Sequence, residues 1–99
     1  MITSAFAAVE GSTRALAVEL GPLRVNAIRP SYTETEFWGF LSGEEREDFR
    51  RRVAETAPVR RAGAPEDVAQ GAIFLMTNPQ VTGTILEFTG GDTLVNNVN

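Results

Sequence analysis

Three side chains that enzymes often use for catalysis are missing from this sequence of 99 residues: histidine, cysteine and lysine. Without histidine, the usual general base near neutral pH is absent. Without cysteine there is neither a disulfide framework nor thiolate chemistry, and without lysine Schiff-base chemistry cannot occur. Carboxylates, hydroxyls, backbone amides and one phenol, that of Tyr32, remain for catalysis. A zinc site would need oxygen ligands alone, which is uncommon, so we expect no metal site.

Long apolar runs and an excess of positive charge are also lacking. The longest apolar run, residues 71–76, is far shorter than the roughly 20 residues that cross a bilayer. The N-terminus does not show the basic start, apolar stretch and small-residue cleavage site of a signal peptide. A net charge of -4 argues against a nucleic-acid binder and against an electrostatic membrane anchor. We therefore expect neither nucleic acid nor membrane as a partner, and the cytoplasm as the location.

The spacing of apolar residues predicts three helices and two strands. Helices are predicted at residues 4–20, 43–58 and 65–77, and strands at 23–28 and 84–89. No element is predicted after the Gly90-Gly91 pair. This order indicates an α/β fold, a partial Rossmann-like unit with two parallel strands and about three helices. The chain shows no linker or repeat, so we predict one domain over residues 1–99, although parallel sheets normally have more than two strands.

Small residues line one side of the first predicted helix. They let another backbone approach closely, either within this chain or across an interface with a second helix, and the pattern leaves both alternatives open. The small residues are Ala8, Gly11, Ser12 and Ala15, and the apolar positions at helical spacing include Ala5, Val9, Leu16 and Leu20.

The last predicted helix has the clearest local signals. Pro65 at the first helical position and two acids in the first turn are typical of a helix start, and Asn78-Pro79 is typical of an end. The predicted inward face consists of Val68, Ala72, Leu75 and Met76.

The predicted helix at residues 43–58 is strongly charged. Its acids lie near the N-terminal end and three consecutive arginines, Arg50, Arg51 and Arg52, follow. This order suits the helix dipole and allows ion pairs three and four residues apart, which is typical of a solvated surface helix. The arginines could meet a phosphate, but the neighbouring acids already provide partners.

Most of the large aromatic rings lie between the first strand and the charged helix. They could cover an edge of the core, or they could line an apolar pocket that binds a small ligand. Two nearby acids, Glu34 and Glu36, could then support acid–base chemistry. The rings are those of Tyr32, Phe37, Trp38 and Phe40.

Two long stretches carry a resemblance to a known family. Residues 7–30, AAVEGSTRALAVELGPLRVNAIRP, resemble the segment that follows the active-site Tyr-x-x-x-Lys of short-chain dehydrogenases/reductases. Residues 60–91, RRAGAPEDVAQGAIFLMTNPQVTGTILEFTGG, resemble the last third of that family, with its Pro-Glu-Asp-Val-Ala helix start, Val-Thr-Gly turn and final Gly-Gly. The resemblance implies a Rossmann-type fold and an NAD- or NADP-dependent oxidoreductase, and it covers nearly the whole chain.

The resemblance also implies which residues occupy the catalytic positions. The family tyrosine falls on Ile2 and the family lysine on Phe6, and both are apolar here. The glycine-rich dinucleotide turn belongs to the N-terminal half of the family and does not occur in these residues. We therefore expect no catalytic residue and no bound cofactor in the isolated chain, which we interpret as a truncated enzyme. The arginine-only set of basic residues and the abundant alanine indicate a GC-rich genome, from which we expect a bacterial origin.

One part of the family's cofactor loop is retained. After the first strand, the family has Pro-Gly and a short segment ending in Thr, which wraps around the nicotinamide. By resemblance, Pro30, Ser31, Thr33 and Thr35 are remnant cofactor-binding positions, with serine in place of the glycine. Residues 36–58 match the variable substrate-binding region.

The retained elements are also those that form the family's dimer and tetramer contacts. An incomplete sheet with a small-residue helix should associate with a partner. We therefore expect a homo-oligomer, or a complementary N-terminal half that rebuilds an oxidoreductase.

Overall fold

The computed structural model describes residues 2–30 and 43–95 of the chain, with side chains from residue 5 onwards. It confirms the α/β class, with two parallel strands that form one sheet. Four helices occur within the described residues, where the sequence predicts about three. The elements are α1 (Ile2–Glu19), β1 (Ala27–Pro30), α2 (Gly43–Thr56), α3 (Pro65–Thr77), β2 (Ile85–Phe88) and α4 (Asp92–Val95).

The described residues group into two compact units. The first unit contains the described residues up to Arg29 together with Gln70–Leu86, and the second contains those of Pro30–Ala69 and Glu87–Asn99. The single domain over residues 1–99 stays a prediction. None of the described helices is both long and apolar enough to span a membrane.

The buried position of α1 within the first unit is a polar residue and not part of the predicted apolar stripe. Thr13 is buried, with its hydroxyl donating to the carbonyl of Val9 at 2.8 Å, and Glu10 and Ala17 on the same face are half-buried. The predicted stripe, including Val9 and Leu16, is exposed. The small residues at 8, 11, 12 and 15 are exposed as well.

The first strand begins later than predicted. Ladder pairing starts at Ala27 rather than at residue 23, and the amide of the preceding Val25 bonds a side chain instead of a strand. The amide of Val25 donates to the Thr82 hydroxyl at 3.1 Å, and the Gly83 amide donates back to the Val25 carbonyl at 2.8 Å. The strand also extends through Pro30, which lies at its exposed end.

Helix α3 begins and ends where its sequence signals predict, but its buried face is shifted. Gly71 and Leu75 are buried, and Val68 and Ala72 are half-buried. The inward position predicted for Met76 is wrong, since this side chain is 73% exposed. Successive helical residues are rotated by about 100°. Leu75 lies at the centre of the buried face, and the side chain of Met76 is therefore rotated away from that face.

Short helix α4 is a correction, because no element is predicted after the Gly90-Gly91 pair. Its four residues give no periodic pattern, and a local hydrogen bond holds its start: the amide of Asp92 donates to the Thr89 carbonyl at 3.1 Å. The preceding glycines are required by sterics. A Cβ on Gly90 would lie 2.7 Å from Val59 Cγ2, and both glycines have positive φ angles.

Candidate functional site

The first turns of α1 carry the positions that match the family's catalytic pair. Ile2 opens the helix, and Phe6 follows one turn later with 54% of its surface exposed. Neither an alkyl nor a phenyl group can exchange a proton with a substrate. The two positions therefore carry apolar residues that cannot do acid–base chemistry.

An ion pair lies one turn further along the same helix. Glu10 Oε1 accepts from Arg29 Nη2 at 3.3 Å, and both side chains are partly buried. The pair joins α1 to β1 within the first unit, next to the end of the strand where the family places its cofactor loop. It fixes the helix to the strand.

The predicted cofactor and substrate residues lie almost entirely outside the described part of the chain. Pro30 ends β1 and is exposed. The remaining positions, Ser31, Thr33 and Thr35 of the cofactor loop and Tyr32, Phe37, Trp38 and Phe40 of the aromatic set, fall in residues 31–42, which the structure does not describe. These assignments stay predictions. Among the described residues, no cluster of three or more acidic side chains could hold a metal ion.

The starts of α2 and α3 do not fit the pyrophosphate of a dinucleotide. Such a site needs free backbone amides and no negative charge in the first turn. Helix α2 begins with Glu44 and Glu45, and α3 begins with Glu66 and Asp67. These carboxylates would repel a phosphate, so neither helix offers a pyrophosphate site.

A guanidinium group closes the C-terminal end of α3. Arg24 Nη1 donates to the carbonyls of Leu75 and Val81, and its Nη2 donates to the Met76 carbonyl at 2.9 Å. The last carbonyls of a helix lack partners inside the helix and carry partial negative charge. Arg24 therefore caps α3 from a distant segment and ties it to the following turn.

Asn26, two residues after Arg24, hydrogen-bonds to the same turn. Its Nδ2 donates to the Val81 carbonyl, and its Oδ1 accepts from the Thr84 amide, both at 3.0 Å. The sequence analysis missed these roles. The available signal was the alternation Arg24-Val25-Asn26, which places both polar side chains on one side of an extended segment.

The start of α3 is fixed by a reciprocal cap. The amide of Ala64 donates to Asp67 Oδ2 at 2.8 Å, and the Asp67 amide donates to the Ala64 carbonyl at 3.0 Å. Arg61 Nη2 adds an ion pair to Asp67 Oδ1 at 2.7 Å. The hydrogen bond from Ala64 and the Arg61 guanidinium hold the pKa of Asp67 below its ordinary value.

We expect this lowered pKa to appear in the pH dependence of stability. The ionised cap contributes above the ordinary pKa of Asp67, and the contribution is lost as the pH falls through the lowered value. Asp67→Asn should therefore lower Tm by about 2–4 °C at pH 7, and the difference should disappear at low pH. Melting curves of both proteins between pH 2 and 7 measure this; a difference that persists at pH 2 would contradict it. Glu66→Gln in the same turn is the matched control.

Comparison with known proteins identifies the family. The model described as enoyl-(acyl carrier protein) reductase matches residues 1–93. A short-chain dehydrogenase/reductase of Stachybotrys chlorohalonatus is 42% identical over 91 residues, covering 92% of this chain and 36% of that protein. The 3-oxoacyl-(acyl-carrier-protein) reductase of Aquifex aeolicus is 35% identical over 85 residues, covering 82% of this chain and 33% of that protein. The chain thus spans about a third of the length of these relatives.

Solved structures agree with the sequence matches. A small-chain dehydrogenase crystallised with NADPH superposes with a TM-score of 0.83 at 38% identity, covering 89% of this chain and 40% of that one. The MalC reductase/Diels-Alderase from Malbranchea aurantiaca gives a TM-score of 0.81 at 34% identity, with 89% and 34% coverage. The folded segments therefore define part of a Rossmann-type oxidoreductase fold. The chain belongs to the short-chain dehydrogenase/reductase family.

Proposed function

We propose that this 99-residue chain supplies framework and association surfaces of a short-chain dehydrogenase/reductase, and does not by itself catalyse NAD(P)-dependent hydride transfer. The observation that carries the proposal is the occupation of the family's tyrosine and lysine positions by Ile2 and Phe6. Hydride transfer to a carbonyl must be accompanied by proton transfer to its oxygen, which a tuned acid provides. Neither side chain is such an acid.

Two further observations support this proposal. The acidic first turns of α2 and α3 oppose pyrophosphate binding, so these two helices give the nicotinamide cofactor no anchor. The polar network around Arg24 and Asn26 serves packing, because the side chains of both residues hydrogen-bond to backbone groups of the same unit. The relatives, one of which binds NADPH, support NAD(P) chemistry for an assembled enzyme of this family.

We expect the purified chain to show no oxidation of NADPH or NADH with a panel of ketones and aldehydes. Absorbance at the nicotinamide band, compared with a protein-free blank, measures this. The variant Ile2→Tyr with Phe6→Lys should be equally inactive, because the carboxylates in the first turns of α2 and α3 oppose anchoring of the dinucleotide at those helices. A full-length relative serves as the positive control.

Two results would distinguish a missing proton donor from missing cofactor binding. Cofactor oxidation that matches product formation in the unmodified chain would contradict the proposal outright. Turnover by the double variant alone would show that the chain binds the cofactor and lacks only the acid. A preparation of Leu75→Asp, which should not fold, controls for host reductases because a contaminant would remain in it.

A second candidate function, a subunit that associates with itself or with a complementary half, is favoured by uncovered apolar surface in the first unit. Apolar patches of this kind in soluble proteins often mark interaction sites. An open cleft of about 580 Å³ adds to this surface, with Ile28, Ala72 and Leu75 in its lining. The exposed large apolar side chains of this unit are Phe6, Val9, Leu16, Val18, Leu20, Leu23, Ile73, Phe74 and Met76.

A further inference from the structure

Four arginines border one cleft of the second unit. The cleft has a volume of about 350 Å³, near the lower end of the range of small-molecule sites. Two arginines come from α2 and two from the segment before α3. The lining residues are Glu47, Arg50, Arg51, Ala54, Arg60, Arg61, Ala62, Gly63 and Ala64.

Three of these arginines have carboxylate partners on the surface. Glu47 pairs with Arg50 at 2.6 Å and Asp48 pairs with Arg51 at 3.1 Å, both three residues apart on α2. Arg61 pairs with Asp67 at 2.7 Å. These side chains are partly or largely exposed, and exposed ion pairs contribute little free energy. A phosphate could therefore share or replace such partners at small cost.

Arg60 differs from the other three. Its Nη1 donates to the backbone carbonyl of Glu55 at 3.2 Å, and no ion pair joins it to a carboxylate within residues 2–30 and 43–95. In the part of the chain that the structure describes, Arg60 is thus a cleft arginine whose charge no ion pair offsets, in a protein whose net charge is -4.

The backbone of Arg60 is held in a costly conformation. Its φ angle is 61°, in the left-handed region that residues other than glycine and asparagine rarely adopt. The Arg60 amide donates to the carbonyl of buried Ala57 at 2.8 Å, and the Val59 amide donates to Gly90 at 3.2 Å. These bonds fix the turn, so the direction in which Arg60 leaves the backbone is set before any ligand binds.

We propose that this cleft binds the phosphate group of a small molecule, with the Arg60 guanidinium as the principal ligand. Guanidinium groups match phosphate oxygens with paired, charge-assisted hydrogen bonds. Arg61 and the α2 arginines add positive charge around the same volume. The proposal is independent of hydride transfer, since the cleft contains neither Ile2 nor Phe6.

Titration of the 99-residue chain with inorganic pyrophosphate, followed by amide chemical shifts and calorimetry, tests the proposal. We expect saturable binding, and Arg60→Gln should weaken it about fivefold or more. The matched control is Arg52→Gln, which also removes one positive charge. The guanidinium of Arg52, on α2, lies over the Phe49 ring at 5.6 Å, and Arg52 does not line the cleft. Its effect should be less than about twofold, as expected for a charge acting only at long range.

A second Arg60 variant and two further solutes complete the test. Arg60→Asn suits the left-handed backbone and should reproduce the loss if Arg60→Gln fails to fold. Glycerol phosphate should bind at the same residues, whereas sodium chloride at equal ionic strength should not. The proposal is overturned by the absence of saturation, by equal effects of the Arg60 and Arg52 variants, or by equal shifts with chloride.

Discussion

Replacing Arg24 by methionine is expected to lower the free energy of unfolding by about 2–4 kcal/mol. Three backbone carbonyls, at Leu75, Met76 and Val81, accept from its guanidinium. Methionine fills similar space but donates no hydrogen bond, so the carbonyls at the end of α3 lose their partner. Small domains are stable by only about 5–15 kcal/mol, so the loss would be a large fraction of the total.

Urea unfolding at fixed protein concentration measures the Arg24 effect. The midpoint should fall while the slope stays unchanged, as for a pure loss of stability. Arg14→Met is the matched control because Arg14 lies on exposed α1 of the same unit, and it should change the free energy by no more than about 0.5 kcal/mol. Arg24→Lys should be intermediate, since an ammonium lacks the guanidinium fork. Equal midpoints for the Arg24→Met and Arg14→Met proteins would show that the network adds nothing.

Replacing Leu16 by glutamate is expected to dissociate the assembly that we propose for this chain. Leu16 lies on the uncovered face of α1 with 40% of its surface exposed, beside the small residues that permit close helix contact. An unpaired carboxylate buried at an interface costs about 3 kcal/mol or more. The dissociation constant should therefore rise by about a hundredfold or more.

Light scattering over a range of protein concentrations measures this association. The unmodified chain should give more than the monomer mass, and Leu16→Glu should give the monomer mass at the same concentration. Val18→Glu is the control. Val18 is 84% exposed and follows Leu16 by two residues, which places it about 200° around the helix from Leu16. Self-association would be contradicted by a monomeric unmodified chain, or by equal dissociation in the two variants.

Local chemistry made some elements predictable. The start of α3 follows from Pro65 and the acid that bonds the Ala64 amide, and its end follows from Asn78-Pro79. These signals act within one turn of the chain, so the sequence carries them completely. The start of β1 was not predictable in the same way. Leu23 and Val25 have strand-like side chains, but partners more than 50 residues away decide which amides join the ladder.

The candidate sites also differ in how far the sequence could predict them. Ile2 and Phe6 could be matched to family positions from the motif alone, because the spacing to the following Ala-Ala-Val-Glu run is fixed. The cleft around Arg60 could not, since its walls come from α2 and from the segment before α3. The arginines of α2 could be matched to a phosphate from the sequence pattern. That another arginine, without a carboxylate partner among the described residues, borders the same cleft follows only from the tertiary structure.

The sequence by itself determined which chemistry is open to this protein, because a side chain that is absent cannot be supplied by folding. The missing lysine, histidine and cysteine limit the isolated chain wherever its helices lie. Tertiary structure alone decided which surfaces are used. It buried Thr13 and left Leu16 exposed on the same helix, because burial depends on what packs against a face rather than on how apolar that face is.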